Sequence, residues 1–177
     1  MSQTAPPPIV PVPAARYDQL RGRRVIIGVP GVGFRADLRA DNSVVQGRRT
    51  FVPVLSEHDY YRAELNNIEA FAVLVPIDRV WVEEPEPARV HALQALDAPL
   101  VRPAQAVRGD VPLLGRRLVQ VVPDGYVRNL RAISEPHMSH AGTLCVRVCA
   151  EPAWYAWALD GSAPSSMELP TLTLWLE

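Results

Sequence analysis

The sequence predicts a mainly β chain made of two small barrel modules in tandem, the product of an internal duplication. Three observations predict it. Short motifs recur in the same order about 93 residues apart. Each copy breaks into brief runs of apolar and β-branched residues, and Pro, Gly, Asp and Asn fall between those runs.

The repeat begins with Leu20-Arg-Gly-Arg-Arg-Val25, which returns as Leu113-Leu-Gly-Arg-Arg-Leu118. Phe34 to Ala40 then matches Tyr126 to Ala132, Phe51 to Glu57 matches Cys145 to Glu151, and Tyr60-Tyr61 matches Trp154-Tyr155. The copies close on Val80-Trp-Val-Glu83 and Leu174-Trp-Leu-Glu177. The offset runs 93, 92 and 94, so two small length changes carry one copy onto the other. A period this long marks a duplicated domain, because solenoid repeats run at roughly 20–50 residues.

Residues 1–15 are proline-rich and read as an extended or disordered arm, one that ties the chain to a neighbour if it is ordered. The first module covers 16–84. Its expected strands are Arg24 to Val29, Phe34 to Ala40, Thr50 to Leu55, Phe71 to Val75 and Arg79 to Glu83, with a turn at Pro30-Gly31-Val32-Gly33. Residues 85–112 form a Pro/Ala-rich linker, in which Val90, Leu93 and Leu96 recur at helical spacing and predict a short helix over Ala88 to Leu96. The second module covers 113–177 and repeats the plan with Asp124-Gly125 as its turn. Four or five short strands in so few residues bury a core only by curling into a barrel.

The strand count, the early turn, the aromatic cluster after the third strand and the closing Val-Trp-Val-Glu or Leu-Trp-Leu-Glu resemble the SH3-like small barrels, Tudor and agenet-type domains included. The resemblance implies a module that binds peptides, modified side chains or nucleic acid. It also implies a rim groove in which Phe34, Tyr60, Tyr61, Tyr126, Trp154, Tyr155 and Trp157 meet a ligand; the plainer alternative is that these rings cap the core. Trp81 and Trp175 alternate with Val80/Val82 and Leu174/Leu176, so they point away from the barrel interior and are candidate interface residues. Arg23-Arg24 and Arg116-Arg117 are expected to pair with Glu83 and Glu177 at the surface.

Composition excludes more than it assigns. All 18 basic residues are arginine and the net charge is −1, a pattern expected of a GC-rich genome and of a chain with no broad attraction to anionic partners. A local excess of arginine over Arg16 to Arg49 leaves a nucleic-acid alternative, carried by Arg21, Arg23, Arg24, Arg35, Arg39, Arg48 and Arg49. Gly28 to Gly33 lacks the ending of a phosphate loop. Cys145 and Cys149 lie four apart on an expected strand, roughly 13 Å from each other, so they neither share a metal with His137 and His140 nor form a disulfide. His58-Asp59 is replaced by Pro152-Ala153 in the second copy and reads as a solvated turn. No nucleophile has a recognisable base.

The expectation is therefore a non-enzymatic binding or assembly protein with no cofactor, metal or small-molecule substrate. Its partners would be other proteins or further copies of itself, and it would serve as a structural or accessory component of a larger complex such as a phage particle. The alternatives are a nucleic-acid-binding module and an intracellular peptide-binding adaptor. Without a signal peptide or an apolar run of about 20 residues, a cytoplasmic or virion location with no membrane contact is expected.

Overall fold

A computed structural model describes residues 8–85, 99, 102–108 and 110–177. The expected helix over Ala88 to Leu96 lies outside the described residues. The chain is mainly β, with two sheets and two α-helices among the described residues. It divides into two compact units, one over residues 8–102 and one over residues 103–177. No helix is long and apolar enough to cross a membrane among the described residues.

The first sheet contains β1 (Pro8–Pro13), β2 (Arg24–Val29), β3 (Gly33–Ala40), β4 (Val44–Gln46), β5 (Arg49–Ser56), β6 (Val73–Pro76), β7 (Val80–Pro85) and β8 (Arg102–Pro103). Its order is β4-β5-β3-β2-β7-β1-β8, with β6 pairing to β5. The second contains β9 (Gln105–Ala106), β10 (Arg117–Val122), β11 (Gly125–Ala132), β12 (His137–Met138), β13 (Leu144–Ala150), β14 (Met167–Pro170) and β15 (Leu174–Leu176). Its order is β12-β13-β11-β10-β15-β9, with β14 pairing to β13. Both sheets therefore have the same succession of pairings from their hairpin strand through to the strand that precedes the repeat.

The correspondence extends to irregularities. In the first unit Val25 pairs with Leu38 but Ile27 with Arg35, so β3 holds one extra residue; Asp37 there takes φ 60°. In the second, Leu118 pairs with Leu130 but Gln120 with Val127, and Asn129 takes φ 58°. Asp and Asn tolerate the left-handed region that such bulges require.

One face of each sheet closes over a core. Leu20, Val25, Leu38, Ala40, Val52, Val54, Val80 and Val82 fill the first. Leu113, Leu118, Leu130, Ala132, Val146, Val148, Leu174 and Leu176 fill the second at matching positions. The second unit's residues are larger at three of them, with Leu118, Leu174 and Leu176 where the first has Val25, Val80 and Val82.

Three expectations need correction. The Pro-rich segment is not an arm over Pro8–Pro13: it is β1, antiparallel to β7, with Ile9, Val10 and Val12 buried. Pro11 and Pro13 stand two apart, so their missing N–H groups fall on one side and leave Val10 and Val12 to bond β7. Part of the expected linker likewise belongs to the second sheet, where β9 pairs with β15 as β1 pairs with β7: Ala106 opposes Trp175 and Pro13 opposes Trp81. Finally, the region after the third strand is helical in both units, as α1 (Glu57–Asn66) and α2 (Glu151–Asp160). Ser56 caps α1 by accepting from the Asp59 N–H, and α1 ends at Asn67 in the left-handed conformation. Pro152 lies in the first turn of α2, which ends at Gly161, also left-handed. His58 and Asp59 thus sit exposed in a helical first turn rather than in a loop.

Candidate binding surface

The Gly-Arg-Arg motif starts each unit with a turn whose glycine is left-handed, at φ +76° for Gly22 and +75° for Gly115. The turn is locked from several sides. Gly22 N–H donates to Ala40 C=O at 2.8 Å and Gly115 N–H to Ala132 C=O at 2.8 Å. Asn42 accepts from the Leu20 and Arg21 amides in the first unit, and Glu135 from the Leu113 and Leu114 amides in the second.

The second arginine of each motif lies on the face opposite the core. There it stands directly across from another arginine: Arg24 pairs with Arg39, and Arg117 with Arg131. Two cations so placed repel. A glutamate from the first turn of the overlying helix lies between them. The Glu57 carboxylate is 3.5 Å from Arg24 and 3.2 Å from Arg39, all three side chains no more than 3 % exposed. Glu151 is 3.3 Å from Arg117 and 2.8 Å from Arg131 and is fully buried. Glu177 adds a contact to Arg117 at 3.9 Å and pairs with Arg128 at 2.8 Å. The expected pairing of Arg117 with Glu177 is thus present but buried, within an ionic cluster under the helix rather than at the surface, while Arg23 pairs with Glu84 at 2.6 Å.

The aromatic pair belongs to the same cluster. Tyr61 is buried, with the Arg39 guanidinium 5.5 Å from its ring centre and Tyr60 against it edge-on. Tyr155 is buried likewise, beside Trp154, and both rings face Arg131. Tyr60 and Trp154 lie against the turn glycines; burial and Glu64 hold the Tyr60 hydroxyl above its ordinary pKa. Gly22→Ala is expected to cost more than Gly115→Ala. Both incur the left-handed penalty of roughly 1–2 kcal/mol. A Cβ at Gly22 would come within 2.9 Å of the Tyr60 hydroxyl, whereas at Gly115 the nearest ring atom is an ordinary 3.5 Å away. Urea denaturation of the two variants measures the difference, and equal losses would show that Tyr60 gives way freely.

Phe34 is elsewhere. It lies five residues from Arg39 along β3, roughly 16 Å at strand spacing, so the turn aromatics and the helix aromatics do not line one groove. Phe34 is half-exposed and meets Trp81 edge-on with ring centres 5.7 Å apart. Trp81 does face away from the core, yet it is only 4 % exposed. Together with Gly28, Val29, Pro30, Val32 and Arg79 these rings line an open cleft of about 490 Å³. In the second unit Tyr126 packs on a buried cluster of Ala104, Val119 and Trp175, and Val121 stands where the first unit has Gly28. Trp157 is partly exposed on α2.

The candidate nucleic-acid arginines are dispersed. Arg24 and Arg39 are buried in the ionic cluster, and Arg21 is bound by Glu64 at 2.7 Å. Arg35, Arg48 and Arg49 remain exposed. Cys145 and Cys149 are free thiols, both buried, and burial raises the Cys149 pKa. No group of three metal-ligating side chains comes together among the described residues.

The units differ on the outer face of β5 and β6 and its counterpart. In the first, Pro53 opposes Leu74 and Phe51 opposes Pro76. In the second, Arg147 opposes Glu168, and Glu168 also bonds His137 at 3.1 Å, which raises the histidine's pKa. Phe71, Val73 and Leu74 are exposed. These residues and Arg79 were not singled out by motif, although setting Val73-Leu-Val-Pro76 beside Met167-Glu-Leu-Pro170 marks the contrast. No family model, no curated protein and no solved structure matches the chain.

Proposed function

We propose that the chain is a non-enzymatic binding or assembly protein: two SH3-like barrels from one duplicated module, acting as a structural or accessory component of a larger complex. Several features support the barrel reading. The strands follow one another as a meander, a single 3-10 turn (Ile77–Arg79, Thr171–Thr173) precedes the last strand, and that strand returns to pair with β2 or β10. Matching bulges and matching buried ion clusters support a common origin for the two units.

One observation carries the binding reading. The buried ionic residues common to both copies, Arg24 and Arg117, Arg39 and Arg131, Glu57 and Glu151, are engaged in folding the module, whereas large apolar side chains of the first unit stand in water: Val32 is 75 % exposed, Phe34 51 %, Phe71 103 % and Val73 67 %. Clustered exposed apolar side chains mark surfaces that other molecules cover. The cleft beside Phe34 and Trp81 and the β6 edge each gather several of them. Native-state sizing of the endogenous protein tests the reading. It is expected in a species far heavier than the 19.5 kDa of one chain; recovery as a free monomer would overturn it.

A further inference from the structure

We infer that β6 is a pairing edge through which two copies of this chain join as a two-fold dimer, an inference that rests on the binding and assembly reading and names its partner. β6 pairs with β5 on one side and with no strand on the other among the described residues. Two prolines fix which of its backbone groups are left over. Neither Pro53 nor Pro76 has an N–H, and the Pro53 carbonyl accepts from the Asp41 N–H at 2.8 Å, so Pro53 turns its backbone toward β3. Val52 and Val54 therefore bond Val75 and Val73, and the N–H and C=O of Leu74 point out from the sheet.

No charged side chain guards that edge; Pro76, near its end, is the residue there that blunts it. From Ala70 to Ile77 there is no charge, and Val73 and Leu74 are 67 % and 41 % exposed. Natural edges are usually guarded by a charge, a proline, a bulge or a covering element, and both units carry the proline, as Pro76 and Pro170. The second unit also has a charge at the same place: Glu168 occupies the position of Leu74, half-exposed and held by His137. The first unit has lost or never had it.

The strip fits its own copy in antiparallel register. With the two-fold axis at Leu74, each Leu74 N–H meets the partner's Leu74 C=O, and each Ala72 N–H meets the partner's Pro76 C=O. The donor that Pro76 lacks costs one bond on each side and leaves the pairing symmetrical. The strip is flanked by exposed Glu69 at one end and exposed Arg79 at the other, neither in an ion pair among the described residues. Antiparallel pairing brings the acidic end of each copy to the basic end of the other. A partner of one charge sign would gain at one end and lose at the other.

Sedimentation of the purified full chain from low to high micromolar concentration tests this. Wild type is expected to form a reversible dimer. Leu74→Glu, which installs the second unit's guard and sets two carboxylates face to face on the axis, is expected to weaken it on the order of 100-fold. Val45→Glu, at an exposed valine of β4 away from this edge, is expected to dimerise as wild type. Exchange of the Leu74 amide should slow as the wild-type concentration rises. If circular dichroism shows Leu74→Glu unfolded, Val73→Lys replaces it. A monomeric wild type, or an edge variant that dimerises undiminished, overturns the inference. A monomer in vitro alongside a heavy native complex would sink the dimer alone, and a light native species would sink the assembly reading itself.

Discussion

Replacing Glu151 with alanine is expected to destabilise the second unit by about 3–5 kcal/mol, the cost of removing one partner from a buried ion cluster. The size follows from position. Arg117 and Arg131 are 8 % and 13 % exposed and stand opposite each other on neighbouring strands. Without Glu151 they lose their nearest counter-charge and keep their mutual repulsion, in a place water reaches poorly. Arg131 would retain its bond to Gly115 C=O at 2.9 Å, and Arg117 its longer contact to Glu177, so the turn is weakened without being erased. Glu57→Ala should act the same way on the first unit, through Arg24 and Arg39. Peptide-resolved hydrogen exchange in urea reads the two units separately; a loss under 1 kcal/mol would mean that water replaces the carboxylate. A triple replacement by apolar residues of similar volume is expected to recover most of the loss, because desolvation of the ions would vanish with their attraction.

The strands were legible because their signal is local. Arg24 to Val29 is β-branched, has turn residues on each side, and forms β2 over that span. The repeat also exposed the frame, since Gly-Arg-Arg, Leu-Arg-Ala and the aromatic pair recur. What the recurrence could not convey was burial. A glutamate in the first turn of a helix ordinarily stays in water and favours the helix dipole; Glu57 and Glu151 instead point down onto paired arginines. The helices themselves escaped notice for a definite reason. α1 reads Glu-His-Asp-Tyr-Tyr-Arg-Ala-Glu-Leu-Asn, with few apolar residues, and α2 is apolar on nearly every side, so neither shows a helical stripe. The remaining signals are confined to the ends: Ser56 and Asp59 at the start of α1, Pro152 and Gly161 at the two ends of α2.

The candidate surface was less legible, for the opposite reason. The aromatic pair was open to two readings, a ligand groove or a cap on the core, and the burial of Tyr61 and Tyr155 favours the second. The residues left for a partner are plain aliphatics, Val73 and Leu74, whose exposure depends on which strand ends the sheet. Nothing in their own sequence states that they lie at an edge. The second copy does, by carrying a charge where the first carries Leu74.

Leu113→Ala is expected to cost about 2–5 kcal/mol, the range for truncating a fully buried leucine. Leu113 has no exposure and belongs to no strand, so secondary structure alone would rank it as a loop residue. Its side chain enters the second core with Leu118, Leu130 and Leu174, while its amide is held by Glu135 at 2.9 Å. The leucine thus ties the Gly-Arg-Arg turn to the core from below while the aromatic pair holds it from above. Leu20→Ala should behave alike in the first unit, where Leu20 is 1 % exposed and its amide is held by Asn42. Leu114→Ala supplies the contrast: one residue on, 60 % exposed, it is expected to change stability by less than about 0.5 kcal/mol. Equilibrium urea unfolding of the three variants decides the matter. A loss at Leu113 no greater than that at Leu114 would mean that the turn stands on its hydrogen bonds alone, and that the leucine recurring in both copies is not what anchors it.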